Sequence, residues 1–253
     1  MKKSAIFTFT GIAAVVTAIC LTTLKSSSST TDALPLILPD GFTVTAHTGC
    51  EGTKDNSLES ILNGAEVGAD TVEIDLHFLS DGTPVLNHDK PDSDKTLPTL
   101  DAALELLSDL DVKMNIDVKA TDNMAEVFTL IKKYAVESKV FFTGVEEKDV
   151  ALVKTAAPGI PYYLNVDVDK KKNTDPAYLE ALIEKVSGCG AIGINMKFTG
   201  CSDELVRFFR SEGLLVSLWT ANKKKDMLSC IRLKPDNITT RKPSVLKSII
   251  NEK

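Results

Sequence analysis

The stretch VEIDLHFLSDGTPVLNHD, residues 72–89, sets two acids inside an apolar run and a His-Asp pair shortly after it. Glu73 and Asp75 are two apart, so on a strand both side chains point to one face. Burying them in a dry core would cost several kcal/mol, about 2–7 for each uncompensated polar group, so the spacing asks for a polar purpose. The same two-residue spacing returns in NIDVKA as Asp117 and Lys119. Three carboxylates, an all-oxygen donor set, suit a hard divalent cation, Ca²⁺ or Mg²⁺. The chain has three histidines, and His47 and His88 flank this cluster. Two imidazoles beside a metal site fit an acid–base pair. His77 falls in the expected loop two residues past Asp75 and takes no role. In the bland alternative the acids are ordinary strand-end charges, with Asp117 paired to Lys119. Three of them on adjacent strands make a cation site the better reading.

These residues need a scaffold that brings them to one place. From Phe42 onward, short β-branched runs alternate with amphipathic segments. Strands are expected at residues 43–47, 70–76, 112–118, 139–143, 160–164, 191–196, 214–219 and 236–240. Helical segments are expected at 56–68, 99–110, 123–137, 175–188, 202–213 and 243–253. In SDELVRFFRSEG, Leu205, Phe208 and Phe209 share a face, Ser202 is a natural N-cap and Gly213 a stop. An extra extended segment, TPVLNHD at 83–89, follows the turn signal Asp81-Gly82. Eight strands alternating with helices fit a TIM (β/α)8 barrel of the α/β class. The competing open doubly wound sheet would carry a Gly-rich turn after its first strand, and HTGCEG is not one. In a barrel, chemistry sits at the C-terminal strand ends. His47 ends the first strand, Glu73 and Asp75 lie on the second, Asp117 and Lys119 close the third, and Trp219 ends the seventh.

Outside the barrel the chain begins with Lys2-Lys3, an uncharged run from Ser4 to Leu24, and Lys25. That run is long enough to span a bilayer, with the paired lysines inside. It lacks a clean small-residue cleavage site, so residues 1–24 are expected to be a signal anchor or, if cleaved, a signal peptide. Residues 25–40 follow as a Ser/Thr-rich linker, and 41–253 form the barrel. This arrangement implies a single-pass cell-membrane protein with an extracytoplasmic domain, or a secreted one. The net charge is −6, and the basic N-terminal segment offsets a more acidic remainder, which disfavours nucleic acid as a partner. Five cysteines, at 20, 50, 189, 201 and 230, show no CxxC spacing and are expected to be mostly buried free thiols.

The stretches AHTGCEGTKDNSLES, GADTVEIDLHFLSDGTPVLNHD, LPTLDAALELL, NIDVKA, LLVSLWTAN and DNITTRKP resemble the glycerophosphodiester phosphodiesterase family, in its order, over about residues 43–243. The resemblance implies a TIM barrel that hydrolyses glycerophosphodiesters to glycerol phosphate and an alcohol with a divalent cation. His47 then matches the histidine of the family's His-Arg-Gly start, and Asn56 the asparagine of its Pro-Glu-Asn-Thr segment. Glu73 and Asp75 match its metal-binding Glu-x-Asp pair, and His88 its His-Asp pair. Asp117 and Lys119 stand at its Glu-x-Lys, and Trp219 at its Trp-Thr.

By the same resemblance, the cation would lower the pKa of the substrate's glycerol hydroxyl. One histidine would act as base and the other as acid through a cyclic phosphate. Lys119 would steady the growing charge, and Trp219 would cover the glycerol carbons. Four departures stand out. Thr48 replaces the phosphate-holding arginine, Asp117 is one methylene shorter than glutamate, Arg241 stands in place of an aspartate, and residues 89–97 are far shorter than the usual insertion. Lys119 and Arg241 are then the candidate replacements for the lost charge, with Arg241, Asn56 and Trp219 on the substrate. A degenerate surface module binding phosphorylated glycerol polymers or head groups, and a phospholipase-like relative acting on membrane lipid, are the alternatives.

Overall fold

The computed structural model describes residues 38–92 and 96–252. The expected anchor or signal at residues 1–24, and the linker through residue 37, lie outside the described residues. Among the described residues no helix is long and apolar enough to cross a membrane.

Among the described residues, nine strands form one sheet: β1 (Thr43–Ala46), β2 (Thr71–Phe78), β3 (Pro84–Leu86), β4 (Lys113–Val118), β5 (Val140–Val145), β6 (Tyr162–Asn165), β7 (Gly193–Lys197), β8 (Leu215–Trp219) and β9 (Asn237–Thr240). All except β3 run parallel. β1 pairs with β9 on one side and β2 on the other, so the eight parallel strands close into a ring. Closure excludes the open doubly wound sheet and yields the expected barrel. β3 is the extra extended segment; it folds back antiparallel on the end of β2, with Leu76 opposite Leu86 and Phe78 opposite Pro84. This hairpin carries β2 through Phe78, so His77 lies within the strand and not in a loop as the sequence suggested.

The connecting helices are α1 (Leu58–Glu66), α2 (Leu100–Ser108), α3 (Met124–Lys133), α4 (Val150–Ala156), α5 (Pro176–Cys189), α6 (Asp203–Ser211), α7 (Lys224–Leu233) and α8 (Pro243–Asn251). Ser57, Thr99, Asp175 and Ser202 each accept a hydrogen bond from a first-turn N–H, which contributes about 1 kcal/mol per cap. The expected helix over 123–137 stops early, because Ala135 takes a left-handed conformation (φ 53°) just past α3. α4 and α7 are additions to the helical segments singled out from sequence. α4 has only seven residues, and its apolar side, Val150, Val153 and Ala156, is too short to read as a period.

Along β2 the two faces have different tasks. Val72, Ile74 and Leu76 are buried in the apolar layer beneath the helices, each worth roughly 1.5–3 kcal/mol. Glu73 and Asp75 alternate with them and face the barrel interior. α1 approaches closely because it carries Gly64 there. A Cβ at that position would stand 2.8 Å from Val72 Cγ1 and 3.0 Å from Ala46 Cβ.

Candidate functional site

His47 directly follows β1, and its N–H donates to Thr240 O at 2.9 Å, which extends the ladder by one step. The ring's Nδ1 lies 2.9 Å from Thr48 O. A carbonyl only accepts, so Nδ1 carries the proton and Nε2 keeps its lone pair. Glu73 Oε2 is 3.7 Å from the same Nδ1 and accepts the Thr48 N–H at 2.7 Å. His88 follows β3 at an exposed position, with Nδ1 2.8 Å from Asp89 Oδ1.

Glu73, Asp75 and Asp117 each offer one oxygen within 4.8 Å of the others. Lys119 Nζ stands 3.1 Å from Asp75 Oδ1 and 2.6 Å from Asp117 Oδ2. Thr143 also donates to Asp117, at 3.1 Å. At Gly144 (φ 73°), a Cβ would lie 2.5 Å from Asp117 Oδ1 and 2.4 Å from Val118 O, so glycine leaves the room Asp117 occupies.

A loop network fixes Asp75 from behind. Asn56, left-handed with φ 54°, donates through Nδ2 to Asp75 Oδ2 at 2.8 Å and accepts the Asp75 N–H at 2.9 Å. Its own N–H is held by Thr48 Oγ1 at 2.5 Å. Thr48 is buried and turns its side chain into this loop, away from the cavity. The neighbouring Asp55 takes Arg241, with Nη1 on Oδ1 and Nη2 3.2 Å from Oδ2. Asn56 and Arg241 thus spend their polar atoms on the loop and are absent from the cavity wall.

The electrostatics call for a cation. Burial pushes the Glu73 carboxyl well above the usual carboxylate range, and repulsion from Asp75 and Asp117 adds to it; the Thr48 N–H and Lys119 offset only part. Burial pulls the Lys119 ammonium down, but Asp117 and Asp75 together outweigh it and hold its pKa above the ordinary value. His47 is pushed below its ordinary value, chiefly by burial and further by Arg241, against the raising effects of the Thr48 carbonyl, Asp75 and Asp117. Three acids facing a single ammonium match a hard divalent ion in donor type and in charge.

These groups open on a cavity of about 190 Å³ lined by His47, Glu73, Asp75, His88, Asp117, Lys119 and Trp219. Seven of the nine residues singled out from sequence therefore meet in one space. The wall also contains Asn115, Thr143, Asn165, Asn195, Thr220 and Thr239, which sequence reasoning missed. Asn115 shared the face of Asp117 by period-two spacing, and that signal was readable. Asn165 and Asn195, at or near the ends of apolar runs, gave only a weak one. Cys50, Cys189, Cys201 and Cys230 are free, two of them buried.

The model of the Glycerophosphoryl diester phosphodiesterase family matches residues 45–113 and 90–245. The chain is 22% identical over 250 residues to a glycerophosphodiester phosphodiesterase of Caldanaerobacter subterraneus subsp. tengcongensis, covering 83% of this chain and 98% of that protein. Among solved structures, it resembles a glycerophosphodiester phosphodiesterase of Agrobacterium tumefaciens (TM-score 0.66, 16% identity, 82% of this chain and 99% of that one). It also resembles an Oleispira antarctica phosphodiesterase in complex with the product sn-glycerol-3-phosphate (TM-score 0.66, 21% identity, 85% and 98%).

Proposed function

The chain belongs to the glycerophosphoryl diester phosphodiesterase family, and on that premise we propose that its barrel mouth hydrolyses glycerophosphodiesters to glycerol phosphate and an alcohol. The observation that carries this reading is the convergence of Glu73, Asp75 and Asp117 beside a neutral His47 whose Nε2 is free to accept a proton. Glu73, Asp75 and Asp117 would hold Ca²⁺ or Mg²⁺, which when bound supplies Lewis-acid polarisation of the phosphate and the attacking hydroxyl.

The remaining chemistry belongs to side chains of the chain. His47 Nε2 takes the proton of the substrate's glycerol hydroxyl as that oxygen bonds to phosphorus. The bond from phosphorus to the second alcohol breaks as His88, whose Nδ1 lies against Asp89 Oδ1, protonates the departing oxygen. A cyclic phosphate results, and water opens it with the two roles exchanged. Lys119 presents its ammonium to the growing negative charge. Trp219 covers the glycerol carbons, while Asn56 positions Asp75 and Arg241 ties down the loop that carries Asn56. The product bound to the Oleispira relative is the product this scheme requires. Residues 1–24 would tether the domain outside the cell membrane or direct its secretion.

Glycerophosphodiesters incubated with Ca²⁺, Mg²⁺ or chelator test the proposal. Metal-dependent release of glycerol phosphate is the expected result. Binding without release would favour a binding module, the reading that Thr48 supports because no arginine faces the cavity. Release of diacylglycerol from phospholipid vesicles would favour the lipid-acting one.

A further inference from the structure

Beside the cavity lies a larger groove of about 870 Å³, bordered by the loops after β5 and β6, the last residues of β7 and β8, and Lys185 of α5. Asn165 and Trp219 line both spaces, so they meet along that wall. A diester whose glycerol phosphate fills the cavity must send its second alcohol out of it, and this groove is an adjoining space with room for one.

The charges in the groove are arranged unequally. Lys148 pairs with Glu146 at 2.8 Å, and Lys185 with Glu147 at 2.8 Å. Lys197, exposed at the end of β7, has no acidic partner among the described residues and stands over the Trp219 ring, 5.7 Å from its centroid. An alcohol bearing an ammonium group would seek that indole face, and an ammonium already occupies it. A second cation there meets like-charge repulsion. A hydroxylated alcohol meets donors and acceptors instead: the Lys197 ammonium, the exposed Asp167 carboxylate, and Asn165, whose Oδ1 is spent on Gly144 N and Asn195 while its Nδ2 remains a donor.

We propose that this groove is the leaving-alcohol subsite and that Lys197 makes it select neutral polyols over cationic amino alcohols. The proposal rests on the phosphodiesterase reading above and adds the class of substrate. Lys197 acts on specificity and takes no part in the bond-making steps.

The test compares kcat/KM for glycerophosphoglycerol, glycerophosphoinositol and glycerophosphocholine in the wild type, Lys197→Ala and Lys197→Glu, with Ca²⁺ or Mg²⁺ present. The wild type should favour the two polyol diesters by roughly tenfold or more, and Lys197→Glu should move the ratio toward choline by a similar factor, with Lys197→Ala between. Because the side chain is exposed, all three proteins should melt alike. A wild type that favours choline, or a ratio unmoved in Lys197→Glu, overturns the proposal. If no diester is turned over, the phosphodiesterase reading fails and calorimetric binding of the same three compounds decides the groove. Weaker polyol binding in Lys197→Glu is expected there, and equal affinity overturns it.

Discussion

His47 and His88 sit in opposite environments, and their proposed roles follow from that. His47 is largely buried, donates Nδ1–H to a carbonyl and has its pKa pushed down, so it waits neutral as a base. His88 is exposed and held by Asp89. His47→Ala and His88→Ala should each lower kcat by about 10² to 10⁴ with unchanged melting. The double variant should lose far less than the product of the two, because the pair acts as a unit. Steady-state kinetics decides it, and a variant of either residue that keeps full activity removes that histidine from the scheme. Thr48 carries a second prediction. Its buried hydroxyl holds the Asn56 N–H, so Thr48→Arg should recover no phosphate contact and should cost about 1–3 kcal/mol in a urea melt. A rise in kcat/KM would show that an arginine there reaches substrate after all. At this scale the charged site was legible, since acids inside a strand announce themselves by spacing. The spending of Asn56 and Arg241 on the loop was not legible, because it depends on contacts between segments far apart in sequence.

The strand ends set the geometry, and the loops after them hold it. Gly144, one residue beyond Thr143 in β5, shows how tightly β5 faces the end of β4. Gly144→Ala would press a methyl group against Asp117 and the Val118 carbonyl and force φ away from 73°. Ca²⁺ affinity by calorimetry should fall at least about tenfold with a loss of stability of about 1–3 kcal/mol. Wild-type affinity in this variant would mean that Asp117 is not a ligand. The eight barrel strands were legible within a residue or two, because β-branched runs between caps and glycines mark them clearly. The stop of α3 before Ala135 and the short α4 were not: a left-handed alanine has no composition signal, and a helix of seven residues is too short to establish a period.

For the whole molecule, the consequence of the acidic cluster is linkage between cation and stability. A ligand that binds the native state alone adds about 2.7 kcal/mol at a concentration of 100 Kd. The wild type should therefore melt higher in Ca²⁺ or Mg²⁺. Glu73→Gln should remove that gain while melting no lower than the metal-free wild type, because it removes a buried charge from a cluster that repels it and keeps an acceptor for the Thr48 N–H. Scanning calorimetry with and without metal reads both effects. An undiminished metal-induced rise in this variant would place the ion elsewhere. Ring closure by the β1–β2 and β1–β9 pairings could be anticipated only from the count of strands, since pairing between chain ends leaves no local mark.

In the proposed function, one divalent cation held by the clustered carboxylates of Glu73, Asp75 and Asp117 switches on phosphodiester hydrolysis at this mouth. Glycerol phosphate release should be measured against cation concentration on metal-stripped wild type and Asp75→Asn, beside a calorimetric titration of the same samples. Stripping should abolish turnover, added cation should restore it with a half-saturation that matches the calorimetric Kd, and Asp75→Asn should lose both. Full turnover in chelator, or unaltered metal activation in Asp75→Asn, would contradict this role for the cation.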